Sequence, residues 1–223
     1  MQIRNLGMNI LICAATNHEI EPTLQFLKQQ PAGKNHLIRI LITGIGSIAT
    51  TYQLLKSIQE KKPDYVIQAG IAGAFAKESE PGKVVLIFEE IFGDLGVEEQ
   101  GKWNDLFDLE LTESIYPFTE KKLINPNCED WKKYGLPFVR SISVSEINTN
   151  KQRIGLLQEK YHPVVESMEG AAFHYVCLQE KIPFMQMRAV SNFIGERDKK
   201  DWKMEEAISN LNTELIRIIQ LLP

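Results

Sequence analysis

Uninterrupted apolar runs alternate along this chain with segments in which apolar residues recur every three or four positions. The runs predict buried strands over 8–15, 37–43, 64–69, 84–92, 136–144 and 184–190. The last periodic segment predicts an amphipathic helix whose buried face is formed by Met204, Ile208, Leu211, Leu215, Ile218 and Leu222. Because strands and helices alternate, we expect an α/β fold with a central mixed, mostly parallel twisted sheet flanked by helices.

Two of the predicted strands are followed by helix-start signals. Thr16-Asn17-His18-Glu19 has the spacing of a capping box, with Thr at the cap and Glu three residues later. Gly44-Ile45-Gly46-Ser47 precedes a second helix, whose apolar face is predicted to consist of Ile48, Tyr52, Leu55 and Ile58. The backbone amides of this turn suit an anion or a polar ligand group, although tight turning alone also explains its glycines.

The segment 163–201 combines polar and small residues in a pattern that favours a ligand site. Met168-Glu169 precedes Gly170-Ala171-Ala172, which begin a helix that ends near Lys181, before Pro183. The strand that follows ends in Ser191-Asn192. Ligands of open α/β sheets bind at the carboxyl ends of the strands, so the acid and the amide are expected at one edge. A small-residue turn over 70–74 is predicted at the same edge.

Between Gly93 and Tyr134 the periodicity fades into polar and aromatic residues, including Trp103 and Phe118. We interpret this stretch as a long excursion that covers the ligand site or packs against another subunit. A helix over 149–161 follows the next strand.

Length, charge and cysteine content narrow the class of protein. The 223 residues suit one domain, 1–223, and the net charge of −4 comes from interspersed acids and bases. Nucleic acid and anionic membranes are therefore not expected partners, and no apolar run is long enough to span a bilayer. The three cysteines and four histidines lack metal-ligand spacing, so no metal is expected, and unpaired cysteines suit the cytoplasm.

Four motifs in register resemble the nucleoside phosphorylase superfamily, specifically its hydrolytic branch that includes the 5'-methylthioadenosine/S-adenosylhomocysteine nucleosidases. They are 15–19, 43–46, 69–73 and 165–192, and they span nearly the whole chain. Within the branch the sequence is most similar to the futalosine hydrolases of menaquinone biosynthesis. That similarity rests on Asp94-Leu95-Gly96-Val97, on 167–172, and on 188–192 followed by Gly195-Glu196-Arg197-Asp198.

The resemblance implies a nucleosidase fold, roles for specific residues, no cofactor and a homodimer or higher homo-oligomer. Glu19 would activate water, Glu169 would bind the ribose hydroxyls, and Met168 would pack under the sugar. Further substrate contacts are implied for Ser191, Gly70 and Ile71. Each acid also has a structural explanation, because Glu19 fits a capping box and Glu169 complements a helix dipole.

Asn192 stands where the methylthioadenosine enzymes carry Asp, and it bears on the substrate. An amide cannot protonate a purine, but it can donate to a 6-oxo group and accept a hydrogen from ring nitrogen 7. This pattern favours futalosine and release of hypoxanthine. A methylthioadenosine nucleosidase, a purine nucleoside phosphorylase and a non-catalytic nucleoside-binding protein remain alternatives. Asn192 also has a structural explanation, as a turn residue after a strand.

Overall fold

The computed structural model describes residues 7–29, 36–75, 79–196, 198, 200 and 202–222. The strands are β1 (Asn9–Ala14), β2 (Leu37–Ile42), β3 (Tyr65–Ala74), β4 (Val84–Phe92), β5 (Gly96–Glu99), β6 (Lys102–Asp105), β7 (Leu123–Ile124), β8 (Phe138–Ser143), β9 (Val165–Ser167) and β10 (Phe184–Phe193). The helices are α1 (Asn17–Gln29), α2 (Ser47–Glu60), α3 (Lys151–Tyr161), α4 (Gly170–Gln179) and α5 (Met204–Leu221). A 3-10 helix covers Cys128–Tyr134.

The central sheet is mixed and partly closed into a barrel. β1 pairs in parallel with β2 and β3, and β3 pairs in parallel with β10. The ring then runs through β4, β8 and β9 and returns to β3, with antiparallel pairing at β10–β4 and at β3–β9. The prediction of a mixed sheet in an α/β fold is confirmed. The prediction that the sheet is mostly parallel is not, because antiparallel pairs also form part of the ring.

Helices cover both faces of the sheet, as predicted. α5 packs through Leu211 and Leu215 against one face, where Ile10, Ile12 and Met187 contribute to the same buried cluster. On the other face, α2 and α4 share a cluster that includes Leu54, Ile58, Ala171, Phe173 and Phe184. The predicted amphipathic helix at the end of the chain is therefore confirmed, because its apolar stripe is buried along α5.

Two predictions about local structure are wrong. The residues 70–74 do not form a turn, because β3 continues through them to Ala74 and their small side chains leave room for neighbours. The predicted apolar face of α2 is wrong at Ile48 and Tyr52, which are 88% and 61% exposed, whereas Ile58 is buried and Leu55 partly buried. The buried face consists of Thr50, Leu54 and Ile58, which lie four residues apart, and α2 packs against α4.

The stretch 93–134 is more ordered than the sequence pattern indicates. It contains the β5–β6 hairpin, the short strand β7 and the 3-10 helix. Trp103 is buried, and its Nε1 donates to the Tyr161 hydroxyl at 2.9 Å while the Arg153 guanidinium lies 3.5 Å from its ring centroid. This aromatic residue therefore packs against α3 of its own chain.

Among the described residues, no helix is long and apolar enough to cross a membrane.

Candidate active site

A cavity of about 310 Å³ lies at the carboxyl ends of the central strands and gathers most of the predicted site residues. It is lined by Glu19, Ile71, Met168, Glu169, Ser191 and Asn192. No residue of 93–134 lines it, so the predicted cover from that stretch is not seen within this chain. Apolar side chains of Ile45, Ile147, Ile194, Met204 and Ile208 form much of its remaining wall.

Glu19 divides its two carboxylate oxygens between a helix cap and the cavity. Oε2 accepts from the Thr16 amide at 2.9 Å and from the Thr16 hydroxyl at 3.1 Å, while the Glu19 amide donates back to that hydroxyl at 3.4 Å. Oε1 accepts from the backbone amide of Ile71 at 3.1 Å. The capping box is therefore confirmed, and the acid reaches the cavity without leaving the cap.

Glu169 is buried at the start of α4 and is fixed from two sides. Its Oε1 accepts from the backbone amide of Gly46 at 3.0 Å, and its Oε2 lies 3.4 Å from Nη1 of Arg188. The Ser47 hydroxyl donates to the carbonyl of Met168 at 3.2 Å. This bond links Met168, the residue before Glu169, to the start of α2. Gly46 has a φ of +90°, so the turn needs glycine. The anion that its amide binds is the carboxylate of Glu169, from the same chain.

Arg188 links the two glutamates through Ile71. Its Nη1 donates to the Ile71 carbonyl at 3.4 Å, and its Nη2 donates to Oε1 of Gln68 at 2.9 Å. Gly70 itself does not line the cavity and lies beneath it. A Cβ there would meet Nη1 of Arg188 at 2.4 Å and Oε1 of Glu19 at 2.9 Å, so only glycine fits.

A β-bulge sets the orientation of Asn192. The pairing of β10 with β3 shifts register between Val190 and Asn192, so that Asn192 lies opposite Gly73 and Ser191 is the extra residue. The amide oxygen accepts from the Ser191 hydroxyl at 2.8 Å, and the amide nitrogen donates to the Phe193 carbonyl at 2.9 Å. One amide hydrogen and one oxygen lone pair are left for a ligand.

Glu166 also lines the cavity and was not predicted from the sequence. Burial, with a further contribution from the nearby charge of Asp94, raises the pKa of its carboxyl group to about 7. Alternation along β9 places it on the face opposite the buried Val165, which is a signal that the sequence contained. The pairing that brings it to the cavity is long-range and could not be derived from periodicity.

A second buried carboxyl group lies beneath the start of α4. Glu90 Oε1 accepts from Nε2 of Gln186 at 2.8 Å, and its Oε2 accepts from the Ser143 hydroxyl at 3.1 Å. That hydroxyl accepts in turn from the backbone amide of Ala171 at 2.7 Å. Burial raises the pKa of Glu90 to about 7, because its hydrogen bonds only partly offset the loss of solvation.

The histidines stand apart from this arrangement. His18 lies at the exposed rim, with its Nε2 3.5 Å from Glu205 Oε1. His174 is fully buried, and burial lowers its pKa to about 3. Within the described ranges, no cluster of three or more His, Cys, Asp or Glu side chains suits a metal ion. The cavity thus presents carboxylates and one amide to a ligand, an arrangement that suits hydroxyl groups and a developing cation.

Comparison with known proteins agrees with this geometry. The chain is 28% identical over 181 residues to a futalosine hydrolase from Thermus thermophilus, covering 80% of each chain. It is 28% identical over 172 residues to a 5'-methylthioadenosine/S-adenosylhomocysteine nucleosidase from Haemophilus influenzae, covering 76% of this chain and 73% of the relative. The solved structure of futalosine hydrolase from Helicobacter pylori superposes with a TM-score of 0.81 at 16% identity, covering 97% of this chain and 99% of that one.

These similarities confirm the resemblance seen in the four motifs, and they extend to both nucleosidase types. The model of the Phosphorylase superfamily matches residues 9–222, which is nearly the full chain. The chain therefore belongs to the phosphorylase superfamily.

Proposed function

We propose that this protein is a nucleosidase that hydrolyses the N-ribosidic bond of futalosine and releases hypoxanthine, a reaction of menaquinone biosynthesis. The observation that carries the proposal is that Glu19 and Glu169 line one cavity and are linked through Arg188. Glu19 accepts from the Ile71 amide, and Arg188 donates to the Ile71 carbonyl and contacts Glu169. One carboxylate then serves the water and the other the sugar. Relatives named as nucleosidases support this reaction type.

Glu19 is proposed to activate the attacking water. Its Oε1 accepts one backbone hydrogen bond, from Ile71, and has capacity to accept another, from a water in the cavity that Glu19 lines. Water attached there would attack the anomeric carbon as the bond to the purine breaks, and its proton would pass to the carboxylate. The purine would leave with the electron pair of the broken bond and take a proton from solvent. Because Oε2 stays in the cap, helix α1 fixes the position of the Glu19 carboxylate, the general base, during the reaction.

Glu169 and Met168 are proposed to bind the ribose. The carboxylate is held by Gly46 and Arg188 but retains lone pairs that can accept from two hydroxyl groups. Its negative charge also favours the cationic sugar of an oxocarbenium-like transition state. Met168 lies next to it in the cavity wall and offers an apolar surface for the sugar.

Hydrolysis is preferred to phosphorolysis because the glycine turn before α2 is already used. A phosphorylase needs groups that bind phosphate, and the amide of Gly46 instead holds the carboxylate of Glu169. The turn 44–47 contains neither Arg nor Lys. A phosphate placed there would face a negative charge at hydrogen-bond distance from the same amide.

The alternative substrate is 5'-methylthioadenosine or S-adenosylhomocysteine, since the chain is equally identical to a relative that bears this name. Asn192 is the feature that favours a 6-oxopurine, because its free amide hydrogen suits a carbonyl oxygen. Incubating the protein with futalosine and with methylthioadenosine, and following hypoxanthine and adenine, tests the proposal. Release of hypoxanthine is expected, and release of adenine alone would refute it.

We also propose that the active species is a cytoplasmic homodimer. Ile45 is 63% exposed and lines the cavity, and it adjoins the exposed Ile48 and Tyr52 on α2. A second copy covering this apolar strip would close one side of the cavity. The buried free cysteines Cys13 and Cys177 suit a reducing compartment. Activity that stays constant per molecule in a monomeric, diluted sample would contradict the dimer.

A further inference from the structure

Glu166, Gly73 and Asn192 form one row across three adjacent strands. Gly73 on β3 is the Cα partner of Glu166 on β9 and also of Asn192 on β10. Residues directly opposite each other in a sheet project from the same face, so the carboxyl group and the amide share one face. All three residues line the cavity.

The centre of this row is a glycine, and the space that its side chain would take is filled in part by Ile194. The Cα atoms of Glu166 and Asn192 are two inter-strand spacings apart, about 10 Å. A Cβ on Gly73 would lie 3.6 Å from the amide nitrogen of Asn192 and 2.9 Å from Cγ1 of Ile194. A planar base in the cavity would therefore lie against Ile194 rather than directly on Gly73, with the carboxyl group at one end and the amide at the other.

The carboxyl group of Glu166 differs from those of Glu19 and Glu169 in lacking donors. Glu19 and Glu169 each accept backbone hydrogen bonds. Among the described residues, none donates a hydrogen bond to Glu166. Its pKa is raised by burial and by the charge of Asp94. A half-buried acceptor that faces a cavity without a donor points to a donor on the ligand.

We propose that Glu166 reads the base, by accepting the hydrogen that a 6-oxopurine carries on ring nitrogen 1. This inference rests on the proposed function and deepens it. Adenine presents a lone pair at the same position, which would face the lone pairs of the carboxylate. With Asn192 at the 6-oxo group, the row distinguishes the two purines at two adjacent positions, nitrogen 1 and the 6-substituent, and Glu166 acts at nitrogen 1.

Binding of free bases to the intact protein tests the assignment without requiring turnover. We expect hypoxanthine to bind on the order of tenfold more tightly than 1-methylhypoxanthine, which lacks the hydrogen, because the carboxylate then loses its donor. Titration calorimetry at pH 7.5 measures both affinities. Equal affinities would overturn the inference.

A conservative variant supplies the second readout. Gln can accept from hypoxanthine through its oxygen and donate to adenine through its nitrogen, so Glu166→Gln should reduce the preference for hypoxanthine over adenine about tenfold. Glu146→Gln, which removes the same charge from an exposed residue of the loop before α3 that does not line the cavity, is the matched control. An unchanged preference in Glu166→Gln would overturn the inference.

The pH dependence separates base reading from proton donation. The accepting form is the carboxylate, so hypoxanthine affinity should rise between pH 6 and pH 7.5, and Asp94→Asn should shift this rise to lower pH. Other titratable residues also border the cavity, namely His18, Glu19, Glu169 and Glu196. If the rise in affinity is due to Glu166, it should be absent from the Glu166→Gln variant.

An affinity that falls over the same range would identify Glu166 as a proton donor and overturn the inference. A protein that distinguishes hypoxanthine from its 1-methyl derivative but cleaves no nucleoside would refute the proposed hydrolysis and leave the base-reading role standing. A protein that cleaves futalosine but binds the two bases equally would support the proposed hydrolysis and refute the base-reading role.

Discussion

Gly70 and Arg188 approach so closely that no side chain fits between them. A Cβ on Gly70 would lie 2.4 Å from Nη1 of Arg188, and the same methyl group would lie 2.9 Å from Oε1 of Glu19. The arginine is buried and contacts Glu169, so it cannot move aside without disturbing that acid. The absence of a side chain at residue 70 is thus part of what holds the two glutamates together.

Gly70→Ala should therefore lower activity more than a surface substitution does. We expect kcat/KM to fall by at least about tenfold, and unfolding free energy to fall by roughly 1 to 3 kcal/mol, because overpacking forces Arg188 or Glu19 from its position. Steady-state kinetics with futalosine and urea denaturation measure the two effects. Gly155→Ala is the matched control, since Gly155 lies in α3 with open space around its Cα and should tolerate a methyl group. Equal behaviour of the two variants would contradict the packing argument.

Glu19→Gln should remove turnover while it largely preserves substrate binding. The amide still reaches the cap, where Gln is an accepted third residue of a capping box, so the fold is retained. It cannot take a proton from water, so kcat should fall by at least about a hundredfold. Single-turnover kinetics and equilibrium binding distinguish the two effects. Near-normal kcat would remove the proposed role of Glu19, and lost binding would indicate a mainly structural role.

Much of the fold could be predicted from the sequence because it depends on local patterns. β4 and α5 begin and end close to their predicted boundaries, since each is a strong apolar run or stripe. The end of β3 was missed because its small residues also suit a turn, and their purpose became visible only with Arg188 and Glu19 in place. Ring closure through β9 and the bulge at Ser191 depend on pairings between distant segments, which periodicity does not contain.

The candidate site follows the same division. Glu19, Glu169 and Asn192 lie next to recognisable helix starts and strand ends, so they were found from the sequence. Glu166 was missed because a three-residue strand gives little pattern, and its place in the cavity comes from its partner Gly73. The exposed face of α2 was wrongly assigned, because an apolar stripe does not say whether it meets the same chain or another surface.

Asn192→Asp should lose activity on a 6-oxopurine nucleoside. The carboxylate would face the 6-oxo oxygen, and the amide hydrogen that we assign to that oxygen would be absent. We expect kcat/KM for futalosine to fall about tenfold or more, with a smaller loss or a gain for methylthioadenosine. Both constants are measured with the same enzyme preparation. Ser209→Ala, an exposed position on α5, controls for handling of the variant protein. An unchanged ratio of the two constants would contradict the assignment.

The buried acid beneath α4 predicts how stability depends on pH. Glu90 has a pKa of about 7 in the folded protein against its ordinary value of 4.5, so the folded state binds its proton more tightly than the unfolded state does. Its contribution therefore decreases as pH rises from about 4.5 to about 7 and stays low above that. The full penalty is on the order of 3 kcal/mol for a shift of this size.

Glu90→Gln should abolish most of that penalty. The neutral amide keeps the size of the side chain, and Gln186, whose buried Oε1 has no partner among the described residues, can turn to accept from it. We expect the variant to lose less unfolding free energy than the wild type between pH 5 and pH 8, with the difference measured by urea denaturation at both values. Glu89→Gln is the control, because it removes a charge from the adjacent residue, which contacts Lys122 and Arg140. If Glu90→Gln and the wild type lose the same free energy over this range, Glu90 does not carry a buried proton at neutral pH.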